Sequence, residues 1–259
     1  MTAPRGRTWP RPSRVRWGLA LGLSLATGTH ADLARAQIID RPIPFSAHRR
    51  QLTLDYIRTH YDSAARSIRF VPAMIVIHAT ETPSLDSTLA LFEPEELPAF
   101  RADIARGGQL NVSSHYLVDR DGTIYRLLPD TLMARHTIGL NRIAIGVENV
   151  GGGPYGPLTD RQLSADRWLV RDLVRRYPTI RYLIGHCEYG RFRGTPLWEE
   201  RDPTYLTPKT DPGGQFMARL RDALGRPVLA HRWSGVTPLP SSAPSSTSSR
   251  RTDRGSVGH

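Results

Sequence analysis

The sequence contains very little cysteine and lysine. Cys187 is the single cysteine among 259 residues, so no intramolecular disulfide can form and a cysteine-rich zinc module is excluded. A metal site would therefore have to use histidine and carboxylate side chains. Lysine occurs once, at Lys209, and arginine supplies the other 34 of the 35 basic side chains. This isolated ammonium indicates a task that a planar guanidinium performs poorly, with chance placement of one lysine as the alternative.

No hydrophobic run near the N-terminus is long enough to span a bilayer. The apolar stretch of residues 17–27 has about eleven residues, well short of the roughly 20 required. It follows five arginines and precedes Ala34-Arg35-Ala36, a small-x-small cleavage pattern. The pattern predicts that residues 1–36 are a signal peptide cut near Ala36, with export to the periplasm or beyond. A retained anchor is the alternative.

The net charge of +11 is concentrated at the two ends of the chain. Residues 1–36 carry +5 and residues 226–259 carry +4, which leaves +2 for residues 37–225. This nearly neutral body indicates no phosphate-binding face, and we expect no nucleic-acid partner. Residues 226–259 are basic and rich in serine and proline, a composition that predicts a disordered tail.

Strand signals recur through the body of the chain. Continuous apolar runs predict buried strands at residues 74–77, 143–150 and 182–185. The Asp-Gly pair at residues 121–122 predicts a hairpin between residues 114–118 and 123–127.

Helix signals alternate with these strands. Thr159 is a predicted N-cap for a helix that begins at Asp160 and is stopped by Pro178. Asp211 is the predicted N-cap of a second helix, with Pro212 at its first position. Residues 37–69 are expected to form an extended lead-in and a first helix. The alternation predicts one α/β domain at residues 70–225, with a mixed central sheet flanked by helices.

Three potential metal ligands occur at comparable places in this pattern. His78 and His186 each follow a predicted buried strand, and Asp211 stands at a helix start beside Lys209. Two imidazoles and one carboxylate can form a three-ligand zinc site with an open position for water. Hydrogen-bonded structural roles for the histidines are the alternative.

Glu148 interrupts an apolar strand, where a carboxylate without a partner is costly. Such a group can take a proton from water activated by a metal. A salt-bridged or edge-exposed glutamate is the alternative.

Five short segments stand out over about residues 70–225. They are IVIHAT (residues 75–80), SSHYLVDRDG (113–122), IGVEN (145–149), IGH (184–186) and KTDPG (209–213). Together, and in this order, they resemble the motifs of one enzyme family, the zinc-dependent N-acetylmuramoyl-L-alanine amidases, which share a fold with peptidoglycan recognition proteins.

The resemblance implies the fold of that family and a role for each matching residue. His78, His186 and Asp211 match the zinc ligands, Glu148 matches the carboxylate that activates water, and Lys209 matches the lysine that stabilises the oxyanion. His136 matches a position near the substrate cleft, which implies a contact with substrate or with the metal ligands. Some relatives have a catalytic tyrosine where this chain has Ser114, which leaves Glu148 as the base.

The implied reaction is zinc-dependent hydrolysis of the amide between the lactyl group of N-acetylmuramic acid and L-alanine in peptidoglycan. Peptidoglycan or muropeptides are the expected partners, with cell-wall turnover or remodelling as the role. The alternative is a non-catalytic muropeptide receptor, since the same fold also serves binding. We expect a monomer, because no apolar docking face is indicated.

Three further residues or segments have simpler expected roles. Cys187 directly follows His186, so strand alternation would turn it away from the site, and we expect a small core residue. His115 is expected to be structural. The charged run of residues 199–202 is expected to be a solvated loop.

Overall fold

The computed structural model describes residues 38–225, so the predicted signal peptide and the predicted tail lie outside the described residues. The strands are β1 (Ile38–Asp40), β2 (Met74–Ala79), β3 (Tyr116–Val118), β4 (Ile124–Arg126), β5 (Ala144–Asn149) and β6 (Tyr182–Gly185). The α-helices are α1 (Ala47–His60), α2 (Leu85–Phe92), α3 (Asp160–Arg176) and α4 (Gly214–Leu224). Within this part of the chain, no helix combines the length and apolarity needed to cross a bilayer.

The six strands form one mixed sheet in the order β1-β4-β3-β5-β2-β6. The hairpin pair β3 and β4 is antiparallel, and the other neighbouring pairs are parallel. Gly122 closes the hairpin with a φ of 87°, in the left-handed region that glycine adopts without strain. The predicted mixed α/β sheet is therefore confirmed. Residues 38–40 add an edge strand to it, beyond the extended lead-in that we expected.

Alternation along β2 decides which face of the sheet carries the site. Ile75 and Ile77 pack into the core beneath α3 and α4, whereas Met74 and Val76 pack into the core that includes α1. Successive strand residues point to opposite faces, so His78 shares the face of Met74 and Val76. The buried apolar run of β2 therefore determines that the His78 side chain is buried and which face of the sheet it lies on.

Of the two predicted helix starts, one is confirmed and one is wrong. Thr159 caps α3, with its hydroxyl accepting the Gln162 N–H at 3.1 Å, and the helix begins at Asp160 as predicted. The last helix begins at Gly214 with Gly213 at the cap, so Asp211 is not an N-cap. The Asp211 carboxylate instead turns towards two histidines. Those contacts outweigh the local capping preference.

A buried acid-amide pair connects α3 to the end of β2. The Asn149 amide donates to Asp166 Oδ2 at 3.0 Å and to the carbonyl oxygen of His78 at 3.2 Å. Asp166 Oδ1 and Asn149 Oδ1 are both buried without a hydrogen-bond partner among the described residues. Burial raises the pKa of Asp166 to about 8. A proton on Asp166 would avoid the cost of an unpaired charge at this buried position.

Asp166→Asn should make stability less dependent on pH. Because the folded-state pKa is raised, the folded protein retains a proton that the unfolded chain loses. The unfolding free energy of the wild-type protein should therefore fall as the pH rises from about 4 to about 8, by up to about 1.4 kcal/mol per pH unit. An asparagine at this position is neutral at every pH. Urea melts at pH 5 and pH 8 would measure the change, with exposed Asp222→Asn on α4 as the control. Equal pH slopes in wild type and Asp166→Asn would contradict the expectation.

Candidate metal centre

Three neighbouring parallel strands bring the predicted site residues to one edge of the sheet. β2 lies between β5 and β6, and all three run in the same direction. His78 on β2 is the direct register partner of Glu148 on β5, so both side chains point to the same face. His186 follows directly after β6. Carboxyl ends of parallel strands are where α/β proteins commonly place binding sites.

His78, His186 and Asp211 converge on a single point. The Nδ1 atoms of the two histidines are 3.0 Å apart, and Asp211 Oδ2 lies 3.2 Å from His186 Nδ1 and 3.5 Å from His78 Nδ1. The loop that carries Asp211 is held by two backbone donors. The Cys187 N–H donates to the Asp211 carbonyl at 2.7 Å, and the Ala79 N–H donates to Oδ2 at 3.3 Å.

The electrostatics at this point favour an ionised Asp211 beside a neutral His78. Burial alone would raise the pKa of Asp211, but hydrogen bonds from His186 and His78 hold it well below its usual value. Burial, reinforced by the neighbouring His186, lowers the pKa of His78 to about 4. At neutral pH Asp211 therefore offers a carboxylate and His78 a nitrogen lone pair, which are the forms of these side chains that bind a metal.

The spacing of these donors fits a zinc ion. Bonds of about 2.0–2.1 Å in a tetrahedral site place ligand atoms roughly 3.3 Å from one another. The measured separations of 3.0, 3.2 and 3.5 Å bracket that value. The three ligand atoms form a group compact enough to hold a metal ion. Zinc sites with three protein ligands commonly keep a fourth position for water or substrate.

Glu148 lies beside this group without belonging to it. Its Oε1 is 3.9 Å from His78 Nδ1, its side chain is 13% exposed, and its Oε2 is buried without a hydrogen-bond partner in the described structure. Burial, followed by the Asp211 charge, raises the pKa of Glu148 to about 8. A cation held by the three ligands would favour its ionised form. The position of Glu148 suits a proton acceptor. The low exposure of its side chain disfavours the alternative of an edge-exposed glutamate.

Lys209 lines the same cleft, which has a volume of about 430 Å³. The side chain is half-buried, and its charge acts to lower the pKa of both Glu148 and His78. The ammonium is therefore electrostatically coupled to the metal group.

Two other histidines, His136 and His115, lie near the metal ligands and have different contacts. His136 borders the cleft, is 9% exposed, and has its Nδ1 3.0 Å from His78 Nε2. Its predicted contact with substrate stays a prediction. His115 is fully buried, its Nδ1 accepts the Gly146 N–H at 3.0 Å, and its Nε2 donates to the Leu132 carbonyl at 2.8 Å. These backbone contacts give His115 a structural role.

Two of the simpler expectations were wrong. Cys187 is only partly buried, because residues 186–192 form a 3-10 helix and strand alternation does not apply there. Glu200 belongs to the run that we expected to be solvated, yet its side chain is only 1% exposed and its Oε1 lies 3.0 Å from His60 Nδ1. This contact ties the long loop before Lys209 to the end of α1.

The cleft also contains charged residues that the motifs did not reveal. Arg101, Glu81 and Arg135 line it. Glu81 follows β2 closely and has a φ of 51°, a left-handed conformation found for no other non-glycine residue in the described range. Positive φ depends on tertiary contacts, and no local sequence signal marks it. Arg135 is buried and its guanidinium donates to Tyr205 Oη at 2.9 Å.

One protein-family model matches most of the described part of the chain. A family model described as N-acetylmuramoyl-L-alanine amidase matches residues 69–214, more than half of the chain. The matched range includes all six residues predicted for the site.

Individual relatives show the same similarity at low identity. The 1,6-anhydro-N-acetylmuramyl-L-alanine amidase AmpD of Escherichia coli is 30% identical over 181 residues, which covers 62% of this chain and 86% of that protein. Peptidoglycan recognition protein 3 of Mus musculus is 27% identical over 132 residues, which covers 50% of this chain but only 37% of that protein. A crystal structure of a selenomethionine AmpD derivative has 25% identity and a TM-score of 0.43, and covers 73% of this chain and 96% of that one.

Proposed function

Because the chain belongs to the N-acetylmuramoyl-L-alanine amidase family, we propose that it hydrolyses the amide between the lactyl group of N-acetylmuramic acid and L-alanine in a zinc-dependent reaction. The observation that carries the proposal is the convergence of His78, His186 and Asp211 within bonding distance of one ion, beside a carboxylate that is not a ligand. Peptidoglycan or muropeptides are the substrates, and cell-wall turnover or remodelling is the proposed role.

Each site residue has a distinct task in this reaction. His78 and His186 would hold zinc through Nδ1, and Asp211 would hold it through a carboxylate oxygen. Bound zinc supplies Lewis-acid chemistry, which polarises the scissile carbonyl and makes water reactive at neutral pH. Glu148 takes the proton of the attacking water and passes it to the leaving amine of alanine.

Lys209 and His136 complete the proposed cleft. The Lys209 ammonium stabilises the oxyanion that develops on the carbonyl oxygen, where a fixed positive charge favours the transition state over the ground state. His136 borders the cleft, which supports the proposed contact with substrate.

A non-catalytic muropeptide receptor is the second candidate, favoured by the similarity to a peptidoglycan recognition protein. A binding protein does not need a basic group poised beside a metal site. The retained ligands and Glu148 support the amidase over the receptor.

Incubation of the purified protein with GlcNAc–MurNAc muropeptides, with added zinc or with a chelator, tests the proposal directly. Mass spectrometry should detect free stem peptide and sugar only where zinc is available, because the water must be activated for attack. Asp211→Asn, which weakens one ligand, should reproduce the effect of the chelator. Binding of intact muropeptide by the zinc-loaded protein, without cleavage, would favour the receptor.

We further propose that the chain acts after export and as a monomer. Support for export comes from the charged, apolar and small-residue pattern of residues 1–36, which lie outside the described residues. An exported enzyme would meet the cell wall or its released fragments.

A further inference from the structure

We propose that His136 is a positioning residue for the metal ligand His78, which it holds through the ring nitrogen that faces away from the metal. This inference rests on the proposed metal site. It gives His136 a task within the protein that is separate from any contact with substrate.

The two nitrogens of His78 face different partners. Nδ1 points at His186 and Asp211, and Nε2 lies 3.0 Å from His136 Nδ1. A metal at Nδ1 uses that lone pair, so the ring proton resides on Nε2 and is donated to His136. Metal-bound histidines usually donate their second N–H to a protein acceptor, which fixes the ring orientation and increases the basicity of the ligand. In this chain the acceptor is another imidazole.

His136 is arranged to accept that proton. Its own Nε2 lies 3.3 Å from the carbonyl oxygen of Ala144, which can only accept a hydrogen bond. The proton of His136 therefore resides on Nε2, and Nδ1 carries the lone pair that faces His78. Thr137 Oγ1 is 2.8 Å from the same Nδ1 and 3.4 Å from His78 Nε2, so its oxygen is a second acceptor within reach of the His78 N–H.

The surrounding residues hold the His136 ring in this place. Asn141 Oδ1 accepts the backbone N–H groups of His136 and Thr137 at 2.9 and 2.7 Å, and the Asn141 amide donates to Tyr61 Oη at 2.8 Å. Gly146 leaves the space for the ring, because a Cβ there would lie 2.8 Å from His136 Cγ. The loop, the strand and α1 thus contribute to one fixed orientation.

Both ring nitrogens of His136 are therefore engaged within the protein, although the ring borders the cleft. A residue that only contacts substrate should affect KM and leave the metal unchanged. A positioning residue should affect the metal itself, and zinc affinity measured without substrate separates the two roles.

The test compares His136→Leu with His136→Asn. Leucine removes the acceptor, whereas asparagine places an oxygen near the position of Nδ1. Zinc dissociation constants would be measured on the purified protein by competition with a chromophoric chelator. Removal of the acceptor should weaken zinc binding by about 10- to 100-fold. The asparagine variant should retain a zinc affinity close to that of wild type.

A further variant and a control complete the experiment. Gly146→Ala displaces the His136 ring without altering its chemistry and should also weaken zinc binding, which decides the question if His136→Leu does not fold. His48→Asn removes an exposed imidazole on α1 that does not line the cleft and should leave zinc affinity unchanged. Wild-type affinity in both His136→Leu and Gly146→Ala would overturn the proposal, as would equal losses in the leucine and asparagine variants. Absence of amidase activity would refute the proposed function and leave this binding measurement valid.

Discussion

Glu148→Gln is expected to lower kcat by about 10²- to 10⁴-fold, the usual contribution of a positioned general base. The substitution keeps the size of the side chain and removes its ability to accept a proton from water. Zinc content should not change, because Glu148 Oε1 lies 3.9 Å from His78 Nδ1 and Glu148 is not one of the three proposed ligands. The measurements are kcat with a muropeptide substrate and bound zinc by elemental analysis.

The matched control for this prediction is Glu93→Gln. Glu93 is an exposed glutamate at the end of α2 that does not line the cleft, and the same chemical change there should leave kcat unaltered. A Glu148→Gln enzyme that turns over normally would remove Glu148 from the role of base. A variant that loses zinc together with activity would instead make Glu148 a ligand.

The strand-end histidines could be predicted because each follows a buried apolar run. A continuous run is covered on both faces, and the polar residue directly after it must reach a site or a hydrogen-bond partner. His78 and His186 fit this pattern, and the register of β2 with β5 explains why Glu148 lies beside His78. Local chemistry and sheet geometry agree at these positions.

Asp211 shows where local rules conflict. An aspartate before a proline is typical of a helix start, so the sequence predicted Asp211 as an N-cap. In the structure its carboxylate belongs to the proposed metal site instead. The carboxylate contacts histidines that are 25 residues or more away in sequence. No capping rule includes partners at that distance.

The remaining contacts also join residues that lie far apart in the sequence. His136 meets His78 across 58 positions, and His60 meets Glu200 across 140 positions. The three residues of β1 pair with β4 some 86 positions later, too short a segment to show a period. Such contacts follow from the assembled sheet, so composition and periodicity could not reveal them.

Lys209→Arg should lower kcat by about 10²- to 10³-fold, which is the effect of removing one oxyanion donor. Both side chains are cationic, so a change of this size would show that position matters beyond charge. A compact ammonium places its charge at one point, whereas guanidinium is larger, planar and directed as a fork. Position 209 is half-buried and lines the cleft beside Asp211, so the larger guanidinium cannot place its charge where the ammonium lies. We expect it to be displaced from the carbonyl oxygen of the substrate. Zinc content should be retained.

Lys209→Met and Arg201→Lys show which property of the lysine is needed. Methionine keeps an unbranched side chain and removes the charge. If the position of the charge decides the rate, the kcat of Lys209→Arg should be as low as that of Lys209→Met. Arg201→Lys makes the reverse exchange at an exposed position in the same loop and should leave kcat unaltered. Near-normal turnover by Lys209→Arg would mean that any cation suffices, and the solitary lysine of this arginine-rich chain would then have no catalytic explanation.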